Sequence, residues 1–216
     1  YGQLLALSDM AVAPGSIDDT ADEVTRQGGR GIAVRCDHTN EQEVAALFAR
    51  VEREAGRLDL LVNNAWGGHE TFTGVFDAPF WEHPLANWDA MVDRGVRNHL
   101  VSSRCAAPLP ARRKRGLIVT TTFWDRGHYL RGNLFYDLAK ASMTRLAFGI
   151  AQELKPHGVA SVAVSPGWMR TEFVLAGHKT DEAHWQQRPE LAALDRTLPQ
   201  IIVRSPFVLA CSIVSL

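Results

Sequence analysis

Several common kinds of site have too little in this chain to support them. No apolar run approaches the ~18 residues that a membrane helix needs. With 23 Lys and Arg against 24 Asp and Glu, the net charge is −1, and no electrostatic case arises for nucleic acid or an anionic membrane surface. The only basic run, residues 112–115, stands just before a strand and reads as a solvated connection. Cysteine is scarce: Cys36, Cys105 and Cys211 are odd in number and far apart. That excludes a disulfide frame and points to buried free thiols in a reducing, cytoplasmic compartment. The eight histidines form no HExxH pattern, and no CxxC accompanies them, so no metal site is expected. His178 and His184, the nearest downstream pair, read as surface residues of a loop. No Gly-x-Ser-x-Gly elbow supports a hydrolase, and no repeat or low-complexity segment stands out.

What is present is alternation. A length of 216 residues suits one domain, long enough to bury about 70% of its unfolded surface. Residues 2–9 read as the tail of a helix and 10–13 as a short strand stopped by Pro14-Gly15. Ser16 caps a helix with Asp18 and Asp19 in its first turn. Residues 31–37 (GIAVRCD) read as a strand, and Thr39 or Asn40 caps the next helix, whose inner face carries Val44, Leu47, Phe48 and Val51. Residues 58–63 (LDLLVN) form the continuous apolar run of a strand buried on both faces. A helix over 88–107, a strand over 116–122, a long helix over 135–155 and a strand over 158–165 follow. Strands and helices in this order imply βαβ units and a parallel sheet covered on both faces, an α/β doubly wound architecture in a single domain over 1–216. Ligands of such sheets bind outside the carboxyl ends of the strands. Asp37-His38, Asn63-Asn64-Ala65-Trp66, Thr122-Phe123-Trp124-Asp125 and the segment 166–171 all follow strands, so polar groups and three tryptophans converge on one edge.

On the long helix, Tyr136 and Lys140 are four residues apart and share a face. An ammonium beside a phenol favours the phenolate, which makes the pair a proton donor and acceptor for chemistry at a carbonyl or alcohol. The bland alternative is an amphipathic tyrosine on a packed helix with a snorkelling lysine.

Asp37 after a strand, NNA at 63–65, YxxxK at 136–140 and PGxxxT at 166–171 stand in one order and spacing, and with them the chain resembles the short-chain dehydrogenase/reductase family. The likeness runs from about residue 15 to 174, and GRLDLLVNNA, FWEHPLANWD and GLIV are similar to its member-one branch. The resemblance implies a Rossmann-like fold and hydride transfer between NAD or NADP, with NADP favoured, and a carbonyl or alcohol. Tyr136 would be the acid/base. Lys140 would hold the nicotinamide ribose and lower the Tyr136 pKa. Asp37, with His38 beside it, would meet the adenine amine. Asn63, Asn64 and Ala65 would lie along the cofactor, Met169 and Thr171 would hold the carboxamide, and Pro166 and Gly167 would be cofactor-binding as well. A homo-oligomer through the long helix is implied as well. Each motif has a structural alternative: Asn63 tying strands together, Asp37 capping a helix, Thr171 as an N-cap.

Three departures from the family stand out. The carbonyl-polarising Ser, thirteen residues before Tyr136, is here Phe123. Thr122 is the substitute on offer, although a one-residue step along a strand flips the side chain, and Asp125 is a poorer one. The family's helix Asn, which holds a relay water, aligns with Gly95, and Asn98 lies three residues on. Finally, the Gly-rich turn that meets a pyrophosphate has no counterpart. Gly28-Gly29-Arg30-Gly31 follows a helix and opens a strand, the reverse of the required context. The expectation is a sequence that begins after that motif, with the first strand and the final strand missing. The aromatic residues Trp66, Trp124 and Trp168 are expected to wall a pocket for a flat or bulky apolar carbonyl compound, with residues 172–200 as substrate-side loop and helices. The competing functions are a non-catalytic relative that binds a nucleotide or a partner and an extended-type relative acting on nucleotide sugars, against which the chain length speaks.

Overall fold

The computed structural model of the chain describes residues 16–123, 129, 133–166, 169, 171–189 and 191. The expectations for residues 2–13, Trp124, Asp125, Gly167, Trp168 and Cys211 lie outside them.

Helix α1 (Ile17–Arg26) begins where Ser16 and Asp19 form a reciprocal capping box, each bonding the other's backbone N–H. Helix α2 (Glu41–Ala55) is capped by Asn40, whose side-chain oxygen accepts from the Gln42 and Glu43 amides, and it stops at Gly56 with φ 67°. Strand β1 (Leu60–Asn63) leads through a long loop to α3 (Leu85–Met91). A π-turn (Val92–Val96) joins α3 to α4 (Arg97–Ala106) without a break in direction, since Met91, Val92 and Arg97 all keep right-handed helical backbone. The short α5 (Pro108–Arg113) starts on a proline, which suits a first helical turn. Its Arg112 and Arg113 pair with Glu52 and Asp59, so the basic run closes a helix end on neighbouring carboxylates. Strand β2 (Gly116–Thr121), the long α6 (Leu134–Leu154), β3 (Val159–Val164) and α7 (Glu172–Gly177) complete the order.

The three strands are parallel in the order β1-β2-β3, with Leu60 opposite Leu117 and Gly116 opposite Val159. β2 is central, and Ile118, Val119 and Thr120 are at most 1% exposed. Helix α6 packs on β2 and β3, while α4 packs on β1 and α2. One core cluster joins Val44, Phe48, Val101 and Ala106 to Cys36, Leu58, Leu61 and Cys105. The thiols of Cys36 and Cys105 are free, as expected, but half-buried. The second cluster gathers Met91, Phe135 and Ala139 with Trp66, Phe72, Phe76, Trp88 and Tyr136.

Two strand expectations need correction. Residues 31–37 are not a strand. A strand exists only through its ladder, and no described strand lies beside this segment; Ile32 is 46% exposed. For the same reason β1 is not buried on both faces. It is an edge strand among the described residues, and Val62 is 40% exposed.

Candidate active site

Tyr136 and Lys140 sit in the first and second turns of α6, whose start is built by Asn133. Its side-chain oxygen accepts the Tyr136 amide at 2.9 Å, while its Nδ2 donates to the Phe76 carbonyl at 3.0 Å. One buried residue thus caps the helix and ties it to the loop after β1. Asn87, fully buried, closes the same loop: it accepts from the Thr73 amide and donates to the Thr73 carbonyl.

The ring of Tyr136 lies in an aromatic nest. His69 stacks on it at 5.3 Å, and Trp66 and Phe76 meet it edge-on at 5.7 and 5.8 Å. Lys140 Nζ stands 5.3 Å from the Tyr136 ring centroid and 3.7 Å from that of Trp66. An ammonium over an indole face is held by the ring quadrupole, yet only 8% of Lys140 is exposed. Burial therefore draws its pKa down to about 7. The half-buried His69 and the buried His99 are pushed down to about 4, chiefly by desolvation, so both are neutral at pH 7. Trp66 Nε1 donates to His69 Nδ1 at 3.1 Å, which places the His69 proton on Nε2.

Trp66 has its own seat. A Cβ at Gly95, inside the π-turn, would stand 2.3 Å from Trp66 Cζ3. The position aligned with the family's relay Asn is glycine because the indole takes the room that a side chain would need.

On the other side of Trp66 an open cleft of about 350 Å³ is lined by Asp37, His38, Thr39, Ala65, Gly67, Glu70, Arg94 and Asn98 together with Trp66 itself. Here the structure brings together three predicted cofactor residues, the adjacent Asp37 and His38 with Ala65, which is 28 positions beyond Asp37. Asp37 accepts from the Thr39 hydroxyl and amide, and those bonds, the hydroxyl's first, hold its carboxyl below the usual range. It does not cap α2; Asn40 does.

Other predicted residues are turned elsewhere. Asn63 points inward and donates to Ser103 Oγ at 2.9 Å, binding β1 to α4. The Asn64 side-chain oxygen accepts the Thr121 hydroxyl at 2.9 Å. Thr122 is not available as the substitute for the missing serine: it is buried, and its hydroxyl donates to the Lys140 carbonyl at 2.7 Å. That bond pins α6 to the end of β2, a structural task, and leaves the hydroxyl facing the helix backbone. Thr171 is the N-cap of α7, accepting from Val174. Met169 and Pro166 are half-buried, Met169 in a single bridge, after β3. Trp66 carries Lys140 and lines the polar cleft. His178 is half-buried and His184 exposed, the latter bonded to Asp181. Among the described residues no His, Cys, Asp or Glu group could hold a metal, and no helix is long and apolar enough to cross a membrane.

Sequence reasoning missed His69, Asn87, Asn133 and the π-turn. Asn133 had a signal, an Asn three residues before Tyr136 at the mouth of a helix. His69 and the π-turn had none, because each shows itself only through contacts with the distant Trp66.

The family model described as enoyl-(acyl carrier protein) reductase matches residues 2–210. The mouse dehydrogenase/reductase SDR family member 1 is 40% identical over 156 residues, 72% of this chain and 50% of that protein. The chain thus spans about half the length of the curated relatives it matches first. Among solved structures, a short-chain type dehydrogenase/reductase from Mycobacterium marinum superposes with a TM-score of 0.71 at 23% identity, covering 92% of this chain and 72% of that one. A 7α-hydroxysteroid dehydrogenase complexed with NADH and 7-oxo glycochenodeoxycholic acid gives 0.72 at 25% identity, covering 91% and 71%.

Proposed function

The chain belongs to the short-chain dehydrogenase/reductase family of oxidoreductases, and on that premise we propose that it reduces a carbonyl compound, or oxidises the matching alcohol, with Tyr136 as acid/base and Lys140 as its electrostatic partner. The observation that carries the proposal is the pair itself. A buried ammonium lies 5.3 Å from the phenol ring, at the end of the sheet where ligands of parallel folds bind.

The residues fit one half of a nicotinamide dinucleotide well. The cleft beside Asp37 is polar and of small-ligand size. One of its walls, Asn98, holds a buried amide oxygen with no partner, as an amine-bearing ring would require. Asp37, His38, Ala65 and Asn98 would hold the adenosine portion, and Lys140 the nicotinamide ribose. The bound cofactor supplies or accepts the hydride.

The rest is this chain's chemistry. In the reducing direction the Tyr136 hydroxyl gives its proton to the carbonyl oxygen as that oxygen gains negative charge, leaving an alcohol and a phenolate. The nearby Lys140 ammonium stabilises the phenolate, and solvent then reprotonates it. The aromatic rings packed against the half-buried Tyr136 limit its contact with bulk water, which strengthens this charge pairing. Phe72, Phe76 and His69 pack in the cluster around Tyr136, an apolar setting in keeping with a bulky, weakly polar carbonyl compound.

A screen of carbonyl compounds followed by loss of NAD(P)H absorbance tests the reading. Wild-type turnover is expected, and Tyr136→Phe should lower kcat by at least about 100-fold, the lower end of acid–base contributions, while cofactor affinity stays within about two-fold. Undiminished turnover by the variant would reject the assignment. A second reading, a relative that binds a nucleotide without turnover, is favoured by Phe123 and by the Thr122 hydroxyl being spent on the Lys140 carbonyl. It predicts cofactor binding with no hydride transfer to any compound in the screen.

A further inference from the structure

Reducing a carbonyl gathers negative charge on its oxygen, and a fixed donor aimed at that oxygen, beside the acid itself, speeds the step. Among the described residues the end of β2 supplies none. The Thr121 hydroxyl donates to the Asn64 side chain at 2.9 Å, that of Thr122 donates to the Lys140 carbonyl at 2.7 Å, and Phe123 has no polar side-chain atom. A donor is present in the aromatic nest instead. Of the three rings described against Tyr136, Phe76 has no N–H and that of Trp66 is spent on His69 Nδ1. The Trp66 bond leaves the His69 proton on Nε2, and Nε2 is buried with no hydrogen-bond partner. A buried donor left unmade is costly, and most are paired in folded proteins.

The chain around His69 holds this ring where it is. A Cβ at Gly68 would stand 2.7 Å from Trp66 Cζ2 and 2.8 Å from Met91 Sδ, so the backbone passes tightly under the indole and brings His69 back against it. The Glu70 amide donates to the Gly67 carbonyl and the Phe72 amide to the His69 carbonyl, both at 3.2 Å, which closes two turns on the segment. Neutrality at pH 7 keeps the Nδ1 lone pair available to Trp66, so the donor stays on Nε2. The His69 and Tyr136 rings stack with centroids 5.3 Å apart and planes 27° from parallel. A carbonyl oxygen accepts from two donors, each about 2.8 Å away, so those donors stand up to about 5.6 Å apart. The spacing of the stacked rings matches that span.

We infer that His69 is a further catalytic residue: its Nε2–H donates a hydrogen bond to the substrate carbonyl oxygen while Tyr136 gives that oxygen its proton. The inference rests on the carbonyl-reduction reading above and adds the residue that polarises the substrate. His69 keeps its proton throughout. The new O–H bond of the alcohol takes its proton from Tyr136, and the new C–H bond takes the hydride that the bound cofactor supplies. In the oxidising direction the same hydrogen bond holds the alcohol oxygen beside the Tyr136 phenolate. Nε2 is closed off from solvent in this structure, so an entering ligand has to move one of the rings packed around it.

The test uses the full chain and a panel of flat or bulky ketones, 2-tetralone among them, with kinetics on the one turned over fastest. His69→Phe keeps a ring to stack on Tyr136 and loses the donor. It should lower kcat at least about 100-fold, the usual loss for one such donor, with KM for the ketone within about three-fold. His69→Asn retains an acceptor where Nδ1 stood and nothing at Nε2, and should be as slow. His69→Gln places an amide N–H near the Nε2 position and should recover at least about ten-fold of the loss. A role in packing alone would not follow that order. Nitrogen NMR of wild type labelled in histidine needs no variant to fold. The His69 proton should be on Nε2 and move downfield when the same ketone binds with oxidised NADP, a pair that cannot react. A His69→Phe kcat within about three-fold of wild type, a Gln variant no faster than the Phe one, or an Nε2–H signal unmoved by the ketone overturns the inference. Each of these leaves the Tyr136 reading standing. Folded wild type that turns over nothing in the panel overturns both.

Discussion

Two regions meet at Trp66 and are built on opposite principles. On one side Tyr136, His69, Phe76 and Lys140 are packed ring against ring, with two histidines and a lysine all drawn toward neutrality by burial. On the other, Asp37, His38 and Thr39 lie along an open polar cleft where an acidic side chain is held ionised by two hydrogen bonds. The closed side would do chemistry, and the open side would hold the cofactor. The difference teaches that titratable groups cost stability where they are buried, whereas polar groups at an exposed rim cost almost none. Substitutions should therefore have unequal consequences on the two sides.

The largest effect on stability is expected at Lys140. Its folded pKa of about 7 lies below the ordinary lysine value of 10.5. Between those values the unfolded chain holds more protons than the folded one, so stability rises with pH across that window, and below pH 7 the full penalty persists. Lys140→Met, which keeps the length and removes the charge, should raise Tm at pH 6 by roughly 5 °C and by less at pH 9. Thermal melts at the two pH values read this directly. A gain independent of pH would show that the ammonium is not the source of the cost.

Gly95→Ala probes the seat of the dividing ring. The added Cβ would meet the Trp66 indole at 2.3 Å, and the packed cluster behind the ring has little room to give. A loss of about 1–3 kcal/mol in denaturant unfolding is expected, the usual cost of overpacking, together with a changed tryptophan emission. Unaltered stability would mean that Trp66 moves freely, and the two sides would no longer be distinct.

The smallest effect is expected at the rim. Asp37→Ala removes an exposed carboxylate whose partner is the neighbouring Thr39, and should change unfolding free energy by no more than about 0.5 kcal/mol. The same variant should weaken dinucleotide binding measurably. A large loss of stability with binding intact would reverse the roles given to the two sides.

Most of the frame was legible because it is local. Ser16 and Asn40 mark helix starts by capping chemistry, and the period of residues 135–155 marks α6. The parallel order of β1, β2 and β3 follows from the alternation of strands with helices. What failed was non-local. Residues 31–37 have the composition of a strand, but composition cannot supply a neighbour to pair with. Thr122 carries the right hydroxyl one residue from the expected place, and the pleat sends it to the Lys140 carbonyl. The π-turn escaped notice because nothing in VDRGV distinguishes five residues of π-helix from five of α-helix; its Gly95 faces Trp66, some 29 residues earlier in the chain. The YxxxK spacing put Tyr136 and Lys140 on one face, but not the indole that now lies against the ammonium.

That indole makes the decisive measurement a structural one. A crystal structure of the full chain with NADP and a carbonyl or alcohol ligand should show the Lys140 ammonium released from Trp66 onto the nicotinamide ribose hydroxyls. The Tyr136 hydroxyl should lie within hydrogen-bonding distance, about 3 Å, of the ligand oxygen. If the nicotinamide lay away from α6, with Lys140 still over Trp66 and no ligand oxygen near Tyr136, the pair would have no part in the chemistry.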